Sequence, residues 1–291
     1  MLPGTLWSRV IEQTQHALDC GALRSIPTDY EIVEQDGVNF LVRILANLTR
    51  KEVATQQQAQ IVTSGEMFNP FLPYEKDLFV ADLSETHVCL LNKFNVVDHH
   101  LLIITRAFEE QESLLTRQDF LALWICLKEY DGLTFYNAGK NAGASQRHKH
   151  LQLIPLPLLS GSAIAIETWL ASAEFEGEIA TIPQLPFAHG LMRLSSWVQP
   201  DQAAEETIAG YYRLLDRLNL RAGSAYNLLA TREWLLMVPR SRESFESISV
   251  NSLGFAGSLF VRDQAQMQLL KERRPMTILT QVSVPLDRDV V

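Results

Sequence analysis

Apolar residues recur at helical spacing near the start of the chain. Leu6, Val10, Thr14, Ala17 and Leu18 share one stripe and Gly21 follows as a stop signal, which predicts an N-terminal helix. A period of two then takes over: Val38, Phe40, Val42, Ile44, Ala46 and Leu48 alternate with mixed neighbours and predict a strand. Residues 51–60 are polar and Gln-rich, a solvated loop or short helix, and Phe68-Asn69-Pro70-Phe71-Leu72-Pro73 punctuates the chain, because each proline biases the residue before it away from helix. Residues 78–83, 87–91 and 101–105 then read as the strands of an antiparallel meander. Thr116-Arg117-Gln118-Asp119 has the form of a capping box, and Phe120, Leu123, Leu127 and Tyr130 continue at helical spacing until Asp131-Gly132 ends the run. A short strand (133–137), a Gly-rich loop (138–146) and a further strand (148–156) follow. Residues 158–194 read as irregular and then helical, 205–220 as an amphipathic helix, and 225–231 and 234–238 as strands.

This order predicts an α+β fold, an antiparallel sheet with packed helices. Strand, turn and strand ending in a basic loop over 225–242 loosely echo 87–106, which points to two fused halves. Residues 1–160 would form the first half, and 161–291 would complete the same compact domain. One active site is expected, because His189 is the only histidine after His150.

Composition narrows the functional classes. A chain of 291 residues that is 47 % hydrophobic and 20 % charged is expected to be globular, and its apolar runs are too short to span a bilayer. Met1 to Leu6 lacks the pattern of a secretory signal, so the cytoplasm is the expected location. Cys20, Cys89 and Cys126 form no Cys-x-x-Cys pair and read as reduced thiols. The formal net charge of −9 argues against an extended nucleic-acid groove, though a local cationic pocket for a small anion stays open.

The most informative stretch runs from Asn137 to Gln152. On a strand, residues i, i+2 and i+4 share a face, so His148, His150 and Gln152 project together, successive members about 6 to 7 Å apart. Lys149, Leu151 and Leu153 face the other way. The preceding loop is rich in Gly, Ser and Asn, so its main-chain N–H groups can cradle an anion. A neutral imidazole is a competent nucleophile toward phosphorus if its other ring nitrogen keeps a directed proton, and the His148 carbonyl is a plausible acceptor for it. Lys93, Lys140, Arg147 and Lys149 surround this strand and supply candidate charges for a polyphosphate. Two other readings of the histidine pair stand beside the nucleophile: metal ligation, with Asp98-His99-His100 supplying a third ligand, and satisfied histidines on a sheet surface. Gln152 counts against the metal.

The run Gly143-Ala144-Ser145-Gln146-Arg147-His148-Lys149-His150-Leu151-Gln152 closely resembles the active-site segment of diadenosine tetraphosphate (Ap4A) phosphorylases, the ATP adenylyltransferase branch of the histidine-triad (HIT) superfamily. Asn69-Pro70-Phe71, the segments 91–97 and 101–105, Tyr226-Asn227-Leu228-Leu229 and the segment 250–257 are also similar to that family, so the resemblance extends from about residue 40 to 262. It implies a HIT-like fold and phosphorolysis of Ap4A to ATP and ADP through an adenylylated histidine, with His150 the nucleophile, His148 and Gln152 beside it, and the reverse adenylyl transfer. Gln152 stands where hydrolytic relatives carry a third histidine, and an amide donates a hydrogen bond without titrating. The resemblance further places Asn92, Lys93, Asn137, Gly143, Ala144, Ser145, Gln146, Asn251 and Ser258 at the nucleotide and phosphates. Arg262 stands where the family usually has lysine, which exchanges a point charge for a planar fork. Lys51 matches a substrate-binding lysine. No tightly bound cofactor or metal site is expected, only Mg2+ arriving with substrate phosphates. Partners would be small nucleotides, without nucleic acid or membrane, and the assembly a monomer or weak homodimer. Galactose-1-phosphate uridylyltransferases are the nearest rival, but they usually carry Pro between the histidines where this chain has Lys149. A metal-dependent β-barrel enzyme and a non-catalytic nucleotide sensor are the rivals from other classes.

Overall fold

The computed structural model describes residues 3–45, 69–158, 164–195 and 199–286. The polar stretch 51–60 and Lys51 lie outside them, as do Ala46 and Leu48. The chain begins with α1 (Leu6–Asp19), whose apolar stripe buries Leu6, Val10, Thr14 and Ala17. Next come β1 (Thr28–Gln35) and β2 (Val38–Leu45), a hairpin turned at Asp36-Gly37, both with positive φ. The sequence reading found only the second of these strands. The Asp-Gly pair was the available signal, since a two-residue hairpin turn needs positive φ at both positions.

The meander β3 (Phe79–Asp82), β4 (His87–Leu91) and β5 (Leu101–Thr105) leads to α2 (Arg117–Glu129). Thr116 and Asp119 close the expected capping box on α2. Then come β6 (Gly132–Ala138) and β7 (His150–Pro155). Residues 158–194 overturn the helical expectation: α3 (Glu167–Leu170) is a single turn, and β8 (Glu174–Glu176), β9 (Ile179–Thr181) and β10 (Gly190–Arg193) are strands. Three- and four-residue strands are too short to show a period, and their pairing comes from neighbours distant in sequence. After α4 (Pro200–Arg217), β11 (Tyr226–Ala230) and β12 (Trp234–Pro239), the small hairpin β13 (Ser244–Phe245) and β14 (Ile248–Ser249) precedes α5 (Ser252–Phe255). The chain then forms β15 (Ser258–Val261), α6 (Gln264–Arg273) and α7 (Pro275–Val282).

Ten strands form one sheet in the order β3-β4-β5-β7-β6-β11-β12-β10-β9-β8, and every neighbouring pair is antiparallel. The α+β fold with a large antiparallel sheet is therefore as expected. Strands from the two parts of the chain join at β6 and β11, where Asn137 faces Asn227. Because side chains alternate across a strand, the sheet buries both faces. On one, Leu151, Leu153 and Tyr136 meet α1, α2 and α4 through Val10, Trp124 and Leu214. On the other, Phe135, Ile154 and Leu229 meet the small sheet β1-β2-β15 and α7 through Phe40, Leu259 and Leu279. His150 belongs to the second face, beside a separate apolar cluster that includes Phe71, Leu90 and Ile104.

Candidate active site

The strands that carry the histidines do not run together to their ends. Pairing of β6 with β7 stops at Phe135↔Gln152, and β7 begins at His150, two residues later than the sequence pattern indicates. Upstream of it the chain takes a different partner. Residues 109–111 lie against 147–149, with the Lys149 N–H donating to the Glu109 carbonyl (2.8 Å) and the Gln111 N–H donating to that of Arg147 (2.6 Å). A fork opens between β6 and β7, and the Gly-rich loop leaves from its mouth.

At this fork His150 is buried, with 4 % of its surface exposed. Its Nδ1 lies 2.8 Å from the carbonyl oxygen of His148, which fixes the proton on Nδ1, and Nε2 makes no hydrogen bond among the described residues. Burial pushes its pKa down to about 4; the His148 carbonyl opposes this and the His148 ring adds to it. The ring is therefore neutral at pH 7, with a lone pair on Nε2. The His148 imidazole is fully engaged: Nε2 donates to the Thr105 carbonyl (2.8 Å) and Nδ1 accepts from Asn69 Nδ2 (3.0 Å). Neither ring nitrogen of His148 is left for a metal or a phosphate. Its contribution to His150 is its main-chain carbonyl.

Gln152 is half-buried one step further along the same face, beside His100. His100 Nδ1 is 3.2 Å from Asn92 Nδ2, and its Nε2 is buried without a hydrogen bond. Burial takes its pKa to about 4, and the Gln152 carboxamide, close enough to oppose that shift, does not complete a bond to it.

The Gly-rich loop is shaped by two glycines. Gly139 and Gly143 have φ of +81° and +89°, and a Cβ on Gly143 would meet the Val250 carbonyl at 2.8 Å and Asn251 Cα at 3.0 Å. Only glycine lets the second part of the chain approach this closely. The main-chain N–H groups of Ser145 and Gln146 have no acceptor among the described residues, and the Ala144 N–H returns to the Gly139 carbonyl (3.1 Å). Behind the loop, Asn137 Oδ1 accepts from Asn227 Nδ2 (2.8 Å), the Ser252 N–H (2.9 Å) and the Ser252 hydroxyl (2.7 Å). Arg240 completes this network. Its guanidinium donates to Asn227 Oδ1 and to the carbonyls of Val282, Arg242, Glu243 and Ala142, and burial lowers its pKa to about 10 while Glu243 opposes. It remains a cation, beneath the loop that would receive an anion.

Asn251 caps α5 with its side chain and, together with Gly143 and Arg262, lines a cleft of about 370 Å³ that Phe260 and Gln266 also border. Ser258 is buried in β15 and lies outside that lining. Of the candidate cations, Lys149 is directed to the opposite face of the sheet, where it pairs with Glu109 and Asp119. Lys93 pairs with Glu75 and Arg147 with Glu110. Lys140 is exposed and has no ion pair among the described residues. The one cluster of three metal-type ligands among the described residues, His16, Cys20 and Asp77, is exposed at the end of α1 and includes neither site histidine. Gln111 and Arg240 were missed by sequence reasoning, because neither belongs to a motif and each acts through main-chain atoms distant in sequence.

The depressed imidazoles make stability depend on acid. An unfolded histidine titrates near 6.5 and folded His100 and His150 near 4, so the unfolded chain binds more protons in between. Their contribution is complete above pH 6.5 and is lost as the pH falls toward 4, about 2 kcal/mol each by pH 5. Urea unfolding at pH 7 and pH 5 checks this; a midpoint that is unchanged or rises at pH 5 contradicts it.

Models of two families match the chain, the Ap4A phosphorylase N-terminal domain over residues 1–172 and the ATP adenylyltransferase C-terminal domain over residues 183–285. Diadenosine 5',5'''-P1,P4-tetraphosphate phosphorylase 2 of Saccharomyces cerevisiae is 30 % identical over 257 residues, covering 76 % of this chain and 77 % of its own. Protein APA1 of the same yeast is 25 % identical over 305 residues, 94 % of this chain and 91 % of its own. The crystal structure of yeast Ap4A phosphorylase Apa2 in complex with Ap4A shares the fold, with a TM-score of 0.79 at 23 % identity over 98 % of this chain and 99 % of that one.

Proposed function

The chain belongs to the Ap4A phosphorylase family, and from that membership we propose that it cleaves Ap4A with phosphate to ATP and ADP, and runs the reverse adenylyl transfer, through a histidine-bound AMP. The observation that carries this reading is an unpaired ring nitrogen at the fork: among the described residues His150 Nε2 has no hydrogen-bond partner, while Nδ1–H is held on the His148 carbonyl. In the first step Nε2 forms a bond to the α-phosphorus of Ap4A and the bridging Pα–O bond breaks, releasing ATP. The ring becomes cationic, its Nδ1 proton stays in place, and the His148 carbonyl stabilises the charge without a proton transfer. In the second step a phosphate oxygen attacks the same phosphorus, the N–P bond breaks and ADP leaves with neutral His150 restored.

Around this centre the unused N–H groups of Ser145 and Gln146 would take the phosphoryl oxygens. Asn137 Nδ2, which has no partner among the described residues while Oδ1 is tied to Ser252 and Asn227, would donate beside them. Gln152 would orient the intermediate without protonating a leaving group. Buried Arg240 adds a positive potential under the loop. Asn92, Lys93, Gly143, Ala144, Asn251, Ser258, Arg262 and Lys51 would complete the nucleotide contacts, and Mg2+ would enter bound to the substrate phosphates. A cytoplasmic monomer or weak homodimer fits this reading, because one chain supplies all ten strands of the main sheet.

Incubation with Ap4A and 32P-labelled phosphate tests the reaction. The expected products are ATP and ADP in equal amounts, with the label confined to the β-phosphate of ADP and no turnover without phosphate. Phosphate-independent release of AMP and ATP, or of two ADP, would overturn it.

A further inference from the structure

The fork between β6 and β7 leaves a gap in the sheet where main-chain pairing would be expected. Past Phe135↔Gln152 the next facing positions would be Tyr136 with Leu151 and Asn137 with His150, and neither pair is formed. One side chain bridges the opening. The carboxamide of Gln111, 2 % exposed, accepts the His150 N–H on Oε1 (2.8 Å) and donates from Nε2 to the His150 carbonyl (3.2 Å) and the Asn137 carbonyl (2.9 Å). A carboxamide has the donor and acceptor of a peptide group, so it can replace the missing strand partner on both sides of one residue. Gln111 is itself held firmly. Its N–H donates to the Arg147 carbonyl (2.6 Å), and its own carbonyl accepts from the Tyr136 hydroxyl.

We infer that Gln111 is a positioning residue for His150: its carboxamide clamps the N–H and carbonyl of the nucleophile's own peptide units where the sheet splits, and so keeps Nδ1–H on the His148 carbonyl and Nε2 aimed out of the fork. The clamp is needed because the fork serves two opposed demands. β6 and β7 must separate for the Gly-rich loop to emerge between them, yet separation removes the β6 ladder from one edge of residue 150 and leaves it paired only with Ile104 of β5 on the other. The His148 carbonyl that fixes the tautomer is only two residues from the clamped peptide, so a main-chain shift at 150 changes both the direction of Nε2 and the Nδ1 contact. Misplacement of a reacting group by about 1 Å is enough to lower a rate about 100-fold. This inference rests on the adenylyl-transfer reading for its kinetic consequence and on geometry alone for its structural one.

Two variants of the full chain separate the possibilities. Gln111→Met keeps the volume and removes the three side-chain hydrogen bonds, whereas Gln111→Glu keeps the acceptor, and only its protonated form also donates. With α-phosphate-labelled Ap4A in single turnover, Gln111→Met is expected to label about 100-fold more slowly than wild type, with the Kd for Ap4A measured calorimetrically unchanged. Nitrogen-15 histidine spectra of the free protein, with the His150 signals assigned from their loss in His150→Asn, should show one tautomer in wild type and a mixture in Gln111→Met. Gln111→Glu should gain labelling rate relative to wild type as the pH is lowered, and Gln111→Met should not. If Gln111→Met does not accumulate as folded protein, the pH profile of Gln111→Glu decides. Wild-type labelling by Gln111→Met with its tautomer intact overturns the inference, as does a parallel loss of Ap4A binding and rate in both variants at every pH. Absence of labelling in wild type itself would refute the functional reading, and the tautomer spectra would still settle the clamp.

Discussion

Replacing His150 by asparagine is expected to abolish the covalent nucleotidyl-enzyme and to lower kcat on the order of 10⁴-fold or more, the scale seen when a nucleophile is removed from a site whose binding groups remain. Asparagine keeps a polar group and the main-chain clamp by Gln111, so the fold and nucleotide affinity should survive. Acid-labile label from α-labelled Ap4A should appear on wild type and be missing from His150→Asn and His150→Ala; equal labelling of all three would remove His150 from the mechanism. His148→Ala makes the contrast. The His148 side chain is spent on Thr105 and Asn69, and its carbonyl, which the variant retains, is what His150 uses. Its loss of turnover should therefore be smaller than that of His150→Asn.

The largest effect on stability should come from the far side of the same strand. Lys149 projects from between the two histidines into the opposite layer and is 1 % exposed there, bonded to Asp119 Oδ2 (3.2 Å), Glu109 Oε2 (2.7 Å) and the Leu114 carbonyl (3.1 Å). Asp119 also accepts from His87 Nε2 at Oδ1 (3.0 Å) and from the Thr116 N–H (2.6 Å). Burial drives the Asp119 pKa up, but the His87 hydrogen bond, the Lys149 charge and the Thr116 N–H together outweigh it and hold the carboxyl below its ordinary value. Asp119→Ala leaves a buried ammonium without this partner and removes the carboxylate half of the capping box on α2, the acceptor of the Thr116 N–H, so it should cost about 3–5 kcal/mol in urea unfolding. The double variant Asp119→Leu with Lys149→Met should recover much of that loss, because well-packed apolar groups can match a buried pair. A loss under about 1 kcal/mol for Asp119→Ala would show that the network is hydrated and screened.

Much of this architecture was legible in advance, for reasons that can be traced to particular residues. Thr116 and Asp119 announced the start of α2 because capping is local, closed within four residues. The strands at 87–91 and 101–105 were readable because each contains a four-residue apolar run, 88–91 and 101–104, bounded by polar residues. Strands β8, β9 and β10 were not, since three or four residues carry too little pattern to outweigh a helical reading. β1 failed differently. Its burial is irregular, and only the Asp36-Gly37 turn shows that it folds back on β2.

At the site, strand alternation in the sequence puts His148, His150 and Gln152 on one face and Lys149 on the other, and it brings the carbonyl two residues upstream within reach of the His150 Nδ1 without tertiary contacts. Those are consequences of backbone geometry over five residues, while the choice of His150 as nucleophile comes from the family resemblance. Only the tertiary structure decided how the other groups divide. The His148 ring is consumed because Asn69, 79 residues away in sequence, reaches it. Lys93 and Arg147 are committed to glutamates, while Gln111 and Arg240 hold the fork and the loop through carbonyl oxygens that no side-chain pattern records. Hydrogen bonds to the main chain leave almost no trace in residue identity, because every residue offers the same carbonyl; the fold alone selects which one is met.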